Sequence, residues 1–184
     1  GYGISDSLYS DYINADVTGK IVMILSGEPM SEDSVSYITG TKELSDWSNN
    51  FRKKYEFARK KGAEALIVVN NDFDESIHLL KSYLESPTLK LSREGTPSED
   101  TAAKNKDGGE KIPQADISQK MANEMLFTEK MALNDIQKKI RKTKQSVVFE
   151  IKSSIALEIK NKEEKISSEN VLGVLEGGEF KDEA

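Results

Sequence analysis

The residue types that most often carry out chemistry in proteins are scarce in this sequence. Its 184 residues include one histidine, His78, and no cysteine. A single imidazole cannot supply the two or three histidines that histidine-based metal sites use, and the lack of cysteine excludes thiol nucleophiles, disulfides and iron–sulfur sites. No G-x-S-x-G motif surrounds any serine, so a serine hydrolase has no recognisable nucleophile. We therefore predict no catalytic residue and no metal ligand, which argues against an autonomous hydrolase of the common kinds.

One acidic run has the residue types of a calcium-binding loop. The segment from Asn70 to Glu75 places side-chain oxygens at alternating positions, as the start of an EF-hand loop does. The pattern then fails, because its sixth position is Glu75 rather than glycine and its twelfth is Lys81 rather than glutamate. We predict a solvated turn between a strand and a helix. His78 follows beside apolar residues, where a packing or surface role is expected.

The charges of the chain are unevenly distributed. The sequence has 26 Lys and Arg against 32 Asp and Glu, and the resulting net charge of -6 disfavours nucleic acid as a partner. One basic cluster could bind nucleic acid or anionic lipid. We favour its interpretation as the solvated end of a helix, because cations are stabilised near a helix C-terminus. The cluster consists of Lys138, Lys139, Arg141, Lys142 and Lys144. No apolar run approaches the roughly 20 residues of a membrane-spanning helix.

Apolar runs and their periodicity predict the elements that would position these side chains. Two continuous apolar runs, 21–25 and 65–69, indicate strands buried on both faces and predicted to be parallel to each other. Between them, apolar residues at a 3.6-residue repeat indicate a helix that Ser45 or Asp46 can cap and Gly62 can end. The members of that stripe are Trp47, Phe51, Tyr55 and Ala58.

The second half of the chain predicts further helices and then a change of period. We expect a short helix over 76–84, an exposed loop over 86–111, a strand over 112–117, a helix capped by Ser118, and a helix with Leu133, Ile136 and Ile140 on one face. From Val147 onward, alternating apolar residues indicate half-exposed antiparallel strands. These residues are Val147, Phe149, Ile151, Ile155, Leu157 and Ile159, and a last strand is predicted over 171–175.

Several motifs follow one another in a recognisable order. The chain opens with Gly1-Tyr2-Gly3-Ile4, and residues 17–25 read V-T-G-K-I-V-M-I-L. Residues 53–69 read K-K-Y-E-F-A-R-K-K-G-A-E-A-L-I-V-V, and residues 112–118 read I-P-Q-A-D-I-S before a helix. This series resembles the protease-associated (PA) domain, in which G-Y-G-I, D-V-K-G-K-I-V-L-V, K-x-x-x-A-x-x-x-G-A-x-A-x-x-x-V and I-P-x-x-x-I-S occur in the same order. The polar stretches 28–41 and 86–111 depart from the pattern, as variable loops would.

The C-terminal residues resemble a more specific family. Residues 170–177 read N-V-L-G-V-L-E-G. This is similar to the N-V-x-G-x-L-x-G segment of secreted zinc aminopeptidases of clan MH, which an H-Y-D-H zinc-ligand motif soon follows. The chain begins at Gly1 without a methionine and stops before any such motif. It is therefore expected to be a piece of a parent enzyme, excised just upstream of the zinc ligands.

The resemblance implies both a fold and a role. The implied fold is α/β (α+β), a β-rich module with an open barrel-like or sandwich-like sheet, short flanking helices and C-terminal antiparallel strands. Residues 1–146 would form the PA module, and residues 147–184 would be strands leading into the absent catalytic domain. The module would be non-catalytic and cofactor-free, a lid, a substrate-shaping surface or a protein-interaction module, with zinc only in the parent catalytic domain. Its implied partners are that domain and peptide or protein substrates, in a secreted, periplasmic or cell-envelope location.

Peptide or partner binding would rest on exposed backbone edges and apolar pockets. The candidate contact residues are Tyr2, Tyr9, Tyr12 and Trp47, although packing in the core or at its rim is the favoured role of these rings. An independent small α/β enzyme or small-molecule-binding domain is the alternative, and it needs a concave pocket with convergent polar groups that the sequence does not reveal. A third alternative is a purely structural domain that orients its neighbour.

Overall fold

Three parallel strands form the only sheet in the part of the chain that the structure, a computed structural model, describes. The described residues are 1–87, 109–156, 158, 166 and 173. Strand β1 (Ile21–Leu25) pairs with β2 (Ala65–Asn70), and β2 pairs with β3 (Gln114–Ser118). Both long apolar runs are therefore strands, as predicted. The third strand begins at Gln114, two residues later than predicted. The carbonyl of Pro113 accepts a hydrogen bond of 2.9 Å from the N–H of Leu66, but proline has no N–H to donate to a neighbouring strand.

Helices occupy the connections between the strands and follow the last one. They are α1 (Asp46–Asn49), α2 (Phe51–Lys60), α3 (Phe73–Glu85), α4 (Gln119–Leu126), a 3₁₀ turn (Phe127–Glu129) and α5 (Leu133–Thr143). Parallel neighbours need crossover connections, and the helices in and after these connections cover the sheet. The described residues therefore form a mixed α/β unit with a small open parallel sheet, which confirms the expected α/β class, and this sheet does not close into a barrel.

The predicted helix around Trp47 is divided into α1 and α2. Asn50 interrupts it with a φ of -120° and a ψ of 85°. Ser45 caps α1, and its side chain accepts a hydrogen bond from the N–H of Trp47. At the other end Gly62 has a φ of +85°, the left-handed conformation that glycine adopts without a Cβ penalty. The predicted start and end residues are thus confirmed.

The sheet separates two apolar clusters. On one face, Leu25, Ile67, Val69 and Ile117 belong to the larger cluster, which also contains the buried residues of α4 and α5: Ala122, Leu126, Leu133, Ile136 and Ile140. On the other face, Ile24, Leu66 and Val68 pack with Ala58 of α2. Because successive side chains of a strand point to opposite faces, strands with continuous apolar sequences can serve both clusters.

The antiparallel strands predicted from Val147 onward are not found in the described residues. Residues 147–151 alternate between partly buried and exposed, and Val147, Phe149 and Ile151 pack against the larger cluster, but they form no ladder with another described strand. A period of two is therefore explained by packing of alternate side chains on an existing core. Leu157, Ile159, most of the strand predicted over 171–175, and most of the loop predicted over 86–111 lie outside the described residues.

The chain divides into two compact units, Gly1–Ser153 and Ser154–Ala184. All the elements above belong to the first unit, while few residues of the second are described. The expected boundary between a PA module and a catalytic domain near residue 146 stays a prediction. No described helix has the length and apolar character needed to cross a membrane.

Candidate functional site

The four aromatic residues predicted as contacts lie in the interior. Tyr2, Tyr9, Tyr12 and Trp47 keep only between 3% and 8% of their surface exposed. Tyr12 and Trp47 both pack on Phe57, at ring-centroid distances of 5.1 Å and 5.8 Å. The structure thus brings these rings together as packing residues. A contact with a peptide stays a prediction that no observed contact tests.

Asp11 is the centre of a buried hydrogen-bond cluster beside these rings. Its Oδ2 atom accepts hydrogen bonds from the backbone N–H groups of Tyr2 at 2.8 Å and Ile4 at 3.0 Å. Its Oδ1 atom accepts from the Tyr9 hydroxyl at 2.8 Å and from the Ser146 hydroxyl at 2.5 Å. A carboxylate with four donors is well satisfied without water, so burial of this charge is tolerated.

Lys54 supplies the neighbouring positive charge. Its side chain is 1% exposed, and its Nζ donates to the backbone carbonyls of Leu25 at 3.2 Å and of Gly27. Burial lowers the pKa of Lys54 to about 8, although the charges of Asp11 and Glu28 act in the opposite direction. These two hydrogen bonds connect α2, which carries Lys54, to the end of β1.

Glu28 is the second buried carboxylate of the cluster. Its Oε2 atom accepts hydrogen bonds from the N–H of Ser45, at 3.0 Å, and from the Ser45 hydroxyl. Burial alone would raise the pKa of Glu28, but hydrogen bonds from the hydroxyls of Ser36 and Ser45 lower it below its usual value. The same Ser45 caps α1, so this carboxylate positions the helix that carries Trp47.

The phenols beside Asp11 are held in their neutral form. Burial raises the pKa of Tyr9 and of Tyr12, and the negative charge of Asp11 raises both further. Together with Lys54 and Glu28, these groups form an enclosed polar cluster that a substrate cannot reach. Their arrangement therefore supports the fold and offers no accessible acid, base or nucleophile.

Sequence reasoning missed Asp11, Glu28 and Lys54. For Lys54 a signal existed, because it lies seven positions after Trp47 and four before Ala58, on the apolar stripe itself. A lysine on the buried side of a helix predicts a buried acceptor. Asp11 and Glu28 lie in irregular segments, where no periodicity indicates which side chains turn inward.

The acidic run at 70–75 covers the end of β2, a turn at Asn71 and Asp72, and the start of α3, which confirms the predicted turn between a strand and a helix. The Asn70 side chain is engaged within it, since Oδ1 accepts from the N–H of Asp72 at 2.9 Å and Nδ2 donates to the Ser76 hydroxyl at 3.1 Å. Among the described residues, no group of three histidine, cysteine, aspartate or glutamate side chains is placed to hold a metal ion. His78 is exposed on α3.

Several large apolar side chains are exposed on α3. No side chain described in this helix is buried, and four large apolar residues have exposed fractions between 42% and 77%. They are Ile77, Leu79, Leu80 and Tyr83. We call these four residues the α3 patch. Exposed apolar clusters of this kind mark surfaces that contact other proteins.

An open depression of about 650 Å³ lies on the outer side of α4. Lys120, Asn123, Glu124 and Phe127 line it. One opposite-charge pair and one ring on an open helix surface do not make the concave, mostly apolar site that small molecules usually occupy.

Comparison with known proteins gives one finding. A family model described as the PA domain matches residues 2–125, which is more than half of the chain. No curated protein and no solved structure matches. The matched range begins at Tyr2 and ends in α4, so it includes all three strands and every group of the cluster around Asp11 except Ser146.

Proposed function

Because this chain belongs to the PA domain family, a generally protease-associated module, we propose that it is the non-catalytic module of a secreted zinc aminopeptidase of clan MH. In this proposal it docks beside the peptidase active site and acts as a lid or a substrate-shaping surface. The N-V-L-G-V-L-E-G segment at 170–177 supports the choice of parent, through its resemblance to the segment that precedes the zinc ligands there. A secreted, periplasmic or cell-envelope location follows from the same proposal.

The α3 patch is the observation that carries the docking role. Isolated helices shorter than about 12–15 residues are marginal in water, and most helices in proteins are stabilised by packing of an apolar face. The helix α3 has only 13 residues, and none of its described side chains is buried. It also has no side-chain N-cap hydrogen bond and no basic residue in its last turn. Burial of Leu79, Leu80 and Tyr83 against the peptidase domain would supply the stabilisation that the helix does not obtain from its own unit.

The zinc of the parent enzyme is assigned to residues outside this chain. One histidine and no cysteine cannot build the zinc site of such a peptidase, and His78 is exposed on α3 without a metal-binding group around it in the described residues. No step of peptide hydrolysis is therefore attributed to this chain. The alternative role, an independent small α/β enzyme or small-molecule binder, stays a prediction that no described pocket favours.

The first test is hydrolysis of aminoacyl-nitroanilides by the purified chain, with and without added zinc. We expect no hydrolysis above background in either case. Activity that co-purifies with the chain and disappears with a chelator would contradict the proposal.

The second test uses the parent enzyme. The triple variant Leu79→Ser, Leu80→Ser, Tyr83→Ser should retain hydrolysis of aminoacyl-nitroanilides and lose hydrolysis of longer peptides, because only these depend on a positioned module. A matched control replaces Leu8, Ile13 and Leu44, which are also exposed, by serine. Equal behaviour of the two variants on longer peptides would remove the docking role from α3.

A further inference from the structure

The solvent side of α5 and its C-cap carries a dense set of cations. Lys138, Lys139, Arg141, Lys142 and Lys144 fall within seven consecutive positions, and all but Lys138 and Lys139 lie in or after the last turn. Within the described residues none of the five forms an ion pair, whereas the ion pairs found there involve other lysines and arginines. Positive charge is thus concentrated at one place in a chain whose net charge is -6.

These cations share one side of the helix. Leu133, Ile136 and Ile140 are buried on the other side, in the larger core cluster. A rotation of 100° per residue places Lys138 and Lys142 opposite that buried stripe and Lys139 and Arg141 on either flank, so all four face the solvent half of the helix. We call these four residues, with Lys144 at the C-cap, the basic face.

Helix capping accounts for only part of the set. Arg141 and Lys142 lie in the last turn, where cations complement the helix dipole. Lys138 and Lys139 lie one turn earlier. Each has like-charged neighbours at i+3 or i+4, such as Lys142, and such pairs destabilise a helix. An anionic partner would relieve this repulsion between the cations.

Tyr37 holds the end of the basic face in place. Its hydroxyl donates a hydrogen bond of 2.8 Å to the backbone carbonyl of Arg141. The Nζ atom of Lys144 lies 5.6 Å from the centre of the same ring. Cations on an anchored helix end lose less conformational freedom on binding than cations on a loop.

We propose that the basic face binds an acidic segment of a partner polypeptide. The axial distance from Lys138 to Lys144 is about 9 Å at the rise of 1.5 Å per residue. Three extended residues at about 3.3 Å each span the same distance. A run of three or four consecutive aspartates or glutamates therefore matches the length of the face, and the carboxylates on one side of such an extended chain would lie near the cations.

The chemistry of the face favours a peptide over other anions. The apolar residues of α5 are all buried, so the helix has no exposed apolar side chain to insert into a lipid surface. The net charge of -6 also repels a long nucleic acid more than a short peptide.

Fluorescence anisotropy with a labelled hexaglutamate peptide tests the proposal, with the hexaglutamine peptide as the uncharged comparison. We expect saturable binding of the acidic peptide only, which weakens steeply between about 50 mM and 300 mM salt. The triple variant Lys138→Gln, Arg141→Gln, Lys142→Gln should weaken binding roughly tenfold or more. Circular dichroism should show an unchanged fold, since the replaced side chains are exposed.

A control variant with the same change in net charge replaces Lys42, Lys60 and Lys111, which are also exposed, by glutamine. It should change the affinity less than about twofold, because surface charges away from the site are screened. Equal losses in the two variants, or no binding at low salt, would overturn the proposal. Tighter binding of a six-residue oligodeoxynucleotide, or of vesicles rich in phosphatidylglycerol, would assign the face to that partner and overturn it as well.

Discussion

The hydroxyl of Ser146 donates a hydrogen bond of 2.5 Å to the carboxylate of Asp11, which lies 135 positions earlier in the chain. The same carboxylate accepts from the backbone N–H groups of Tyr2 and Ile4 and from the Tyr9 hydroxyl. One side chain therefore connects the N-terminal loop to the segment that leaves α5. Because this carboxylate is buried, the connection is lost if any change removes its ability to accept.

Replacing Asp11 by asparagine should lower the free energy of unfolding by about 3 kcal/mol. Asparagine has nearly the same shape, but its NH₂ group would face donors that now bond to a carboxylate oxygen. Urea denaturation followed by circular dichroism measures the change. The control Asp33→Asn, at an exposed position, should stay within about 0.5 kcal/mol of the parent chain. A loss below about 1 kcal/mol for Asp11→Asn would show that the cluster is not important for stability.

The stability of the fold should increase from pH 8 to about pH 10. The pKa of Lys54 is about 8 in the folded chain, against its usual value of 10.5 in the unfolded chain, so within this window the unfolded state binds the proton and the folded state does not. Raising the pH then favours the folded state, by about 2 kcal/mol over the window. Above pH 10 the trend should reverse. Tyr9 and Tyr12 have raised pKa values in the folded chain, so their hydroxyls ionise first in the unfolded chain, and this ionisation favours unfolding.

Denaturant unfolding at a series of pH values between 7 and 11 measures this profile. The variant Lys54→Met should lack the rise above pH 8, because methionine has no proton to lose in this window. Lys53→Met, next in sequence and partly exposed, should retain the rise. A rise of equal size in both variants would assign the effect to another group.

Gly3 and Gly19 should respond differently to alanine. Both have a left-handed backbone, with φ values of 69° and 67°. A Cβ at Gly3 would lie 2.8 Å from Cδ1 of Ile24, whereas nothing lies within 4 Å of a Cβ at Gly19. We expect Gly19→Ala to cost about 1 kcal/mol from backbone strain alone, and Gly3→Ala to cost about 2–3 kcal/mol because the clash adds to it. Equal losses in thermal or urea denaturation would contradict the difference in packing.

Ser45 and Ser118 are both helix N-caps, and they provide a matched pair. The Ser118 side chain accepts from the N–H of Met121 and caps α4, whereas Ser45 caps α1 and also donates to the buried Glu28. Ser118→Ala should cost about 1 kcal/mol. Ser45→Ala should cost about 2 kcal/mol or more, since Glu28 then loses a donor while it stays buried. The result would contradict this account if the two losses, measured by urea denaturation, were the same.

The local features of the chain were predictable from its sequence. The two long apolar runs and the caps at Ser45 and Ser118 depend on neighbours a few positions away, and each is found as expected, whereas the stripe of Trp47 and Ala58 is divided between α1 and α2. Family membership was predictable for the same reason, because short motifs in a fixed order are a property of the sequence alone. The scarcity of histidine and cysteine likewise excludes several kinds of site, because a fold can bring together only the ligands and nucleophiles that the chain contains.

Only the tertiary structure decided which side chains are buried and which are exposed. Tyr2 and Trp47 proved to be core residues, and Val147 to Ile151 proved to pack on the core without a paired strand among the described residues. Lys54 and Asp11 became a buried polar cluster, while the basic face of α5 was left without an ion pair in the part of the chain that the structure describes. The physical reason is that burial and charge pairing depend on contacts between residues far apart in the chain. Periodicity along the sequence reports which side of an element is apolar, and it does not report what lies opposite that side.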